Sequence, residues 1–69
     1  MTDSSLLRQK IEERGFKLKY VAEQLKITPY TLQLKINNER EFKTSEVKIL
    51  CEILNITVLA EREQIFFAN

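Results

Sequence analysis

Between Leu18 and Asn37 the apolar positions fall into two short helical stripes broken by a tight turn. In the first, Leu18, Val21, Ala22 and Leu25 recur at i, i+3, i+4 and i+7, the spacing of one buried helical face. The second starts at Thr28-Pro29. A Thr side chain accepts from the orphan N–H groups of a first turn, and proline is preset for the first helical position. Only Lys26 and Ile27 separate Leu25 from that cap, so the helices must turn sharply, with Ala22 small enough for close backbone approach. The pattern predicts a helix-turn-helix unit over residues 18–37.

The flanking pattern adds three more helices. Asp3-Ser4-Ser5 offers N-cap residues, Leu7 and Ile11 (with Leu6 beside them) form a core stripe, and Gly15 ends the helix in the left-handed conformation. Phe16 then plugs the core. After Asn37 a polar stretch, NERE, predicts a loop anchored by Phe42. A fourth helix starts at Thr44 or Ser45 with Glu46 in its first turn. Its stripe is Val47, Leu50, Cys51 and Leu54, widened by Ile49 and Ile53 into the most enclosed helix of the chain. Asn55 takes the left-handed position, Ile56 enters the core, and Thr57 caps a fifth helix over about residues 58–67, with Val58, Leu59, Arg62, Ile65 and Phe66 along it. The reading is all-α: five short helices in a single domain, 1–69, without repeats or linkers. The ending Ile65-Phe66-Phe67 is unusually apolar for a chain terminus in water. Either Phe66 and Phe67 fold back on the first helix, or they help form a subunit interface.

The second helix of the central unit has two faces. Leu32 and Ile36 share one; Tyr30, Gln33, Leu34 and Asn37 share the roughly opposite one. Periodicity alone lets either be the core side. With Leu32 and Ile36 inward, the outward stripe presents two amides, an aromatic hydroxyl and an aliphatic. That mixture suits base edges, where amides bond adenine and apolar groups touch the thymine methyl.

At this point the segment AEQLKITPYTLQLKIN resembles the helix-turn-helix of the lambda-repressor-like family, the Cro/repressor type, in which A-x-x-L-G-[IV]-[ST] precedes a recognition helix. Ala22, Leu25, Ile27, Thr28, Thr31 and Leu32 occupy the matching positions, and TSEVKILCEILNIT resembles the family's next helix and turn. The resemblance implies that Leu32 faces inward and Tyr30, Gln33 and Leu34 outward. It also implies a lambda-repressor-like fold and a role as a DNA-binding transcriptional regulator, a phage-type Cro or small repressor. Three positions depart from the pattern. Lys26 stands at the usual turn glycine, where φ > 0 is often needed. Lys17 and Leu18 stand where the family often has a Ser/Thr cap and a phosphate-binding Gln. Ile36 fills its inward slot one residue later than the commonest version.

Composition narrows the alternatives. A chain of 69 residues with no His and one Cys has no disulfide and no zinc spacing. It also offers no nucleophile–base–orienter set, and Gly15, the only glycine, makes no phosphate loop. The reading is therefore a non-enzyme without metal, cofactor or small-molecule ligand, with Cys51 a buried, inert thiol. No signal-peptide run or membrane-spanning stretch occurs, which predicts a cytoplasmic location. Net charge is only +1, but it is unevenly spread. Lys17, Lys19, Lys26, Lys35, Arg40 and Lys43 face only Glu23, Glu39 and Glu41 within residues 17–43, whereas residues 44–69 are net acidic.

These readings converge on a candidate site. Gln33 is the leading residue for base readout, its amide matching adenine N6 and N7, a contact worth about 1–3 kcal/mol of discrimination. Tyr30, Leu34 and Asn37 complete the base-facing set, though Asn37 also serves simply to end the helix. Lys17, Lys19, Thr28, Thr31, Lys35, Arg40 and Lys43 are the phosphate candidates, with Lys35 and Lys19 snorkelling outward. So small a reader calls for a homodimer on a palindromic operator, its interface drawn from Ile65, Phe66 and Phe67. A competing class is a protein-interaction module or antirepressor on the same fold that binds another regulator. The low net charge, Tyr30, Leu34 and the missing phosphate-binding Gln motivate it.

Overall fold

Asp3 accepts the Leu6 N–H at 3.0 Å and starts α1, Ser4–Glu13; α2 follows at Leu18–Leu25, α3 at Pro29–Ile36, α4 at Thr44–Ile53 and α5 at Leu59–Phe66. The computed structural model describes all 69 residues and contains helices and turns only. The first four helices all close in one way. A residue at positive φ follows the last turn (Gly15 at 73°, Lys26 at 59°, Asn38 at 65°, Asn55 at 57°). Its N–H and the next one bond back to carbonyls of the helix. Gly15 donates to Glu12 at 2.8 Å and Phe16 to Ile11 at 3.2 Å; Lys26 donates to Glu23 at 3.1 Å and Ile27 to Ala22 at 3.0 Å. The same pairs recur at Asn38/Glu39 and Asn55/Ile56. This is the Schellman arrangement, which satisfies otherwise orphaned carbonyls.

The arrangement also aims the chain. Phe16, Ile27 and Ile56, each the residue after the left-handed one, turn straight back onto the hydrophobic core. Glu39 is the exception and stays exposed. There the helix end is tied down by α1 instead, where the Ser4 hydroxyl donates to the Ile36 carbonyl at 2.5 Å.

Thirteen buried apolar residues form one cluster fed by all five helices, with Leu7, Val21, Ala22, Leu32, Ile36, Leu50 and Ile65 wholly enclosed. Burial of each Val, Leu, Ile or Phe among them contributes about 1.5–3 kcal/mol, so the core outweighs any single surface contact. α2 packs on α3 and α4, and α1 on α3 and α5. The α4 stripe is wide, as its pattern predicts, with Ile49, Cys51 and Ile53 half-buried on its shoulders.

Two expectations for the C-terminal region are corrected. α5 begins at Leu59 with Val58 at its N-cap and no side-chain cap, so Thr57 does not start it. Ile65 and Phe66 are core residues, 0% and 5% exposed, and cannot form a surface between subunits. Packing of α5 on α1 encloses them: the Asp3 N–H donates to the Ile65 carbonyl at 2.7 Å, and Phe66 meets Phe42 edge-on at 5.9 Å between ring centres. Phe42 thus anchors the 38–43 loop, as expected. Phe67 alone of the three stays open, half exposed, with the Arg62 guanidinium 6.0 Å from its ring centre. Lys10 and Glu61 clamp the same pair of helices at 2.8 Å, which raises the Lys10 amine above its ordinary value chiefly through that hydrogen bond. The Met1 ammonium donates to the Ala68 carbonyl at 3.0 Å.

Candidate nucleic-acid interface

The ambiguity between the two faces of α3 is resolved by burial. Leu32 and Ile36 are 0% exposed, and the opposite stripe faces out: Tyr30 is 72% exposed, Gln33 and Asn37 are exposed, and Leu34 is half-buried. The turn before the helix leads the chain into this arrangement. Lys26 adopts the left-handed conformation that a glycine would take more easily, at φ 59° and ψ 40°, and Ile27 drops against the core. Thr28 then caps α3, its Oγ1 accepting the Thr31 N–H at 3.1 Å and donating to Thr31 Oγ1 at 3.0 Å. Both hydroxyls proposed for phosphate contact are therefore linked to each other at the exposed start of the helix.

The far end of the outward stripe is more constrained than sequence suggests. Asn37 Oδ1 accepts from Arg8 Nη2 at 3.0 Å. Arg8 lies on α1, outside every sequence-derived candidate, yet it carries its charge to the last turn of α3 and has no carboxylate partner. Its only sequence signal is the step from Leu7 at the core to the neighbouring position. The chain then folds back over the same end: Glu39 and Arg40 both donate their N–H groups to the Leu34 carbonyl, at 2.8 and 3.3 Å. The Arg40 backbone is thereby held at the C-terminal end of α3.

Of the proposed phosphate cations, Lys17, Lys19, Arg40 and Lys43 are exposed and free of ion pairs. Lys17 precedes α2 without a side-chain cap, consistent with the absent Ser/Thr there. Lys35 is a correction. Its side chain is 7% exposed, and its Nζ sits 2.5 Å from Oε1 of Glu46, itself 6% exposed. The position borders Ile36 on the inward side of the helix, and a carboxylate waits there, so the lysine turns in and does not snorkel out.

No three His, Cys, Asp or Glu side chains lie together as a metal site requires, and no helix is long and apolar enough to cross a membrane. Burial pushes the half-buried Cys51 thiol above its ordinary value, with Arg62 and Glu61 acting in opposite directions as smaller influences. The expectation of a buried thiol is met only in part, since Cys51 lies half-buried on the shoulder of α4.

The sequence model of the Cro/C1-type HTH DNA-binding domain matches residues 7–61, which takes in α1 from Leu7 onward, α2 to α4 and the start of α5. No curated protein and no solved structure matches the chain.

Proposed function

The chain belongs to the Cro/C1-type helix-turn-helix DNA-binding domains, and we propose that it is a sequence-specific transcriptional repressor of the small, phage-type kind, acting in the cytoplasm without catalysis. α3 enters the major groove. The observation that carries this reading is the outward stripe of Tyr30, Gln33 and Leu34 opposite the fully buried Leu32 and Ile36. Gln33 reads a base, Leu34 meets a thymine methyl, and Tyr30 lies along the groove wall. Lys17, Lys19, Arg40 and Lys43, with the Thr28 and Thr31 hydroxyls, contact phosphates, which add affinity without sequence information.

Two copies bind a two-fold symmetric operator with half-sites about one helical turn apart. Because Ile65 and Phe66 are enclosed, the dimer contact draws on exposed apolar residues of the C-terminal region: Phe67, with Val58 and Leu59 at the start of α5, which are 61% and 64% exposed.

A second reading, a module that docks on another regulator, is favoured by the 72% exposure of Tyr30 beside Leu34 and by a net charge of only +1. DNA binding to a pool of genomic fragments at about 50 and 200 mM salt separates the two, since counterion release predicts a steep fall between them. Enrichment of a palindromic site that survives the higher salt supports the regulator. Binding without preference, lost at the higher salt, supports the protein partner.

A further inference from the structure

The Lys35–Glu46 pair occupies an unusual place for two charges in so small a protein. Lys35 lies in the last turn of α3 and Glu46 in the first turn of α4, and both side chains are more than nine-tenths enclosed. Each charge sits at the favourable end of its own helix dipole. One carboxylate oxygen serves two donors: Glu46 Oε1 takes the Lys35 ammonium at 2.5 Å and the Lys43 N–H at 2.8 Å. The end of the reading helix, the start of α4 and the base of the intervening loop are thus joined at one atom.

Such a pair is a poor source of net stability. Desolvating two charges costs about what their attraction returns, and apolar replacements of similar volume are often as stable or more so. What an ion pair supplies that two aliphatics do not is direction. α3 has only eight residues, and of its side chains only Leu32 and Ile36 are fully buried aliphatics. α3 packs on α1 and α2, with Ser4 and Arg8 bonded to its C-terminal end, so what the Lys35–Glu46 pair adds is a directional tie to α4. A side-chain tip lies about 5–6 Å from a helix axis, so a roll of about 10° shifts Gln33 by about 1 Å. A hydrogen-bonded contact to a base does not tolerate that displacement.

We propose that the Lys35–Glu46 pair orients the reading helix: it fixes the rotation and axial position of α3 against α4, and base discrimination depends on it more than folding does. This rests on the reading of α3 as the DNA-contacting helix. Lys35 and Glu46 are positioning residues, and neither touches DNA.

The test compares wild type with Lys35→Met/Glu46→Leu, which removes both charges, and with Lys35→Met/Glu46→Gln, which also removes both but keeps an oxygen for the Lys43 N–H. Three quantities are read: the melting temperature, the affinity for random duplex, and the affinity ratio between the selected site and one altered by a base pair per half-site. Residual dipolar couplings of the free protein report the angle between α3 and α4. The expected result for both variants is a cooperative fold melting within a few degrees of wild type and unchanged affinity for random duplex. The discrimination ratio falls about tenfold or more, and the α3–α4 angle changes. A variant that keeps the wild-type ratio and angle overturns the proposal. So does one that fails to fold, because the pair would then be a stability element. Wild-type protein that prefers no DNA sequence refutes the regulator reading instead, and the couplings still decide the orientation claim: an unchanged angle overturns it, a changed one upholds it.

Discussion

Asn38 and Thr2 lie 36 residues apart and are joined by two hydrogen bonds of 2.8 Å: the Thr2 N–H donates to Asn38 Oδ1, and Asn38 Nδ2 donates to the Thr2 carbonyl. The side-chain amide acts toward Thr2 as a neighbouring peptide would. The same residue holds the left-handed conformation that ends α3. Asn suits both tasks, since it tolerates positive φ better than most residues. Asn38→Gly keeps the backbone freedom and loses both bonds, and is expected to cost about 1–3 kcal/mol in urea unfolding. Asn38→Ala should cost about a further 1–2 kcal/mol for the left-handed residue. A glycine variant as stable as wild type would show that the amide contributes nothing.

Gln33→Ala and Lys43→Ala are expected to act differently on DNA. Loss of the Gln33 amide should cost about 1–3 kcal/mol at one base position and relax preference there, leaving the salt slope intact. Loss of the unpaired Lys43 charge should weaken all sequences alike and reduce the slope by about one ion. Titrations at several salt concentrations measure both. Equal effects of the two changes would mean that α3 does not read bases.

Lys26→Gly should stabilise the fold. A lysine at φ 59° carries a left-handed penalty of about 1–2 kcal/mol, partly offset by the entropy of a glycine in the unfolded chain. The expected net gain is about 0.5–1 kcal/mol, read as a higher melting temperature. A lower one would mean that the exposed lysine makes a stabilising contact of its own.

Leu59→Asp addresses self-association. The side chain is 64% exposed at the start of α5, so the monomer fold should change by less than about 0.5 kcal/mol. Sedimentation at high micromolar concentration should find the variant monomeric where wild type is dimeric, and half-site cooperativity on DNA should disappear. A wild type that stays monomeric in solution and on DNA removes the homodimer.

Much of this fold is legible in local pattern. The stripes at i, i+3, i+4 and i+7 give the core faces, and Gly15 and Asn55 mark helix ends where backbone preference alone decides. Other features depend on partners distant in the chain. Periodicity puts Lys35 beside the inward face of α3, but nothing local says that Glu46 will meet it across the loop. For Phe66 pattern leaves both burial on the first helix and a subunit contact open, and the packing of α5 on α1 and Phe42 decides for burial. Of two adjacent asparagines, pattern cannot say which turns left-handed; Asn38 does so because Thr2 stands ready to pair with its amide. Arg8 reaches the candidate site for a similar reason, since α1 crosses the end of α3 and sequence spacing carries no record of that crossing.

The Met1 ammonium resting on the Ala68 carbonyl makes the domain nearly a closed ring. A linker of a few residues would join its two ends without moving a helix, and the exposed stretch at Glu39–Glu41 is where new ends could be opened. The permuted chain would keep every helix–helix contact while reversing the order of synthesis. α4 and α5 would then leave the ribosome first, and each would wait for its packing partner, α2 for α4 and α1 for α5, to follow.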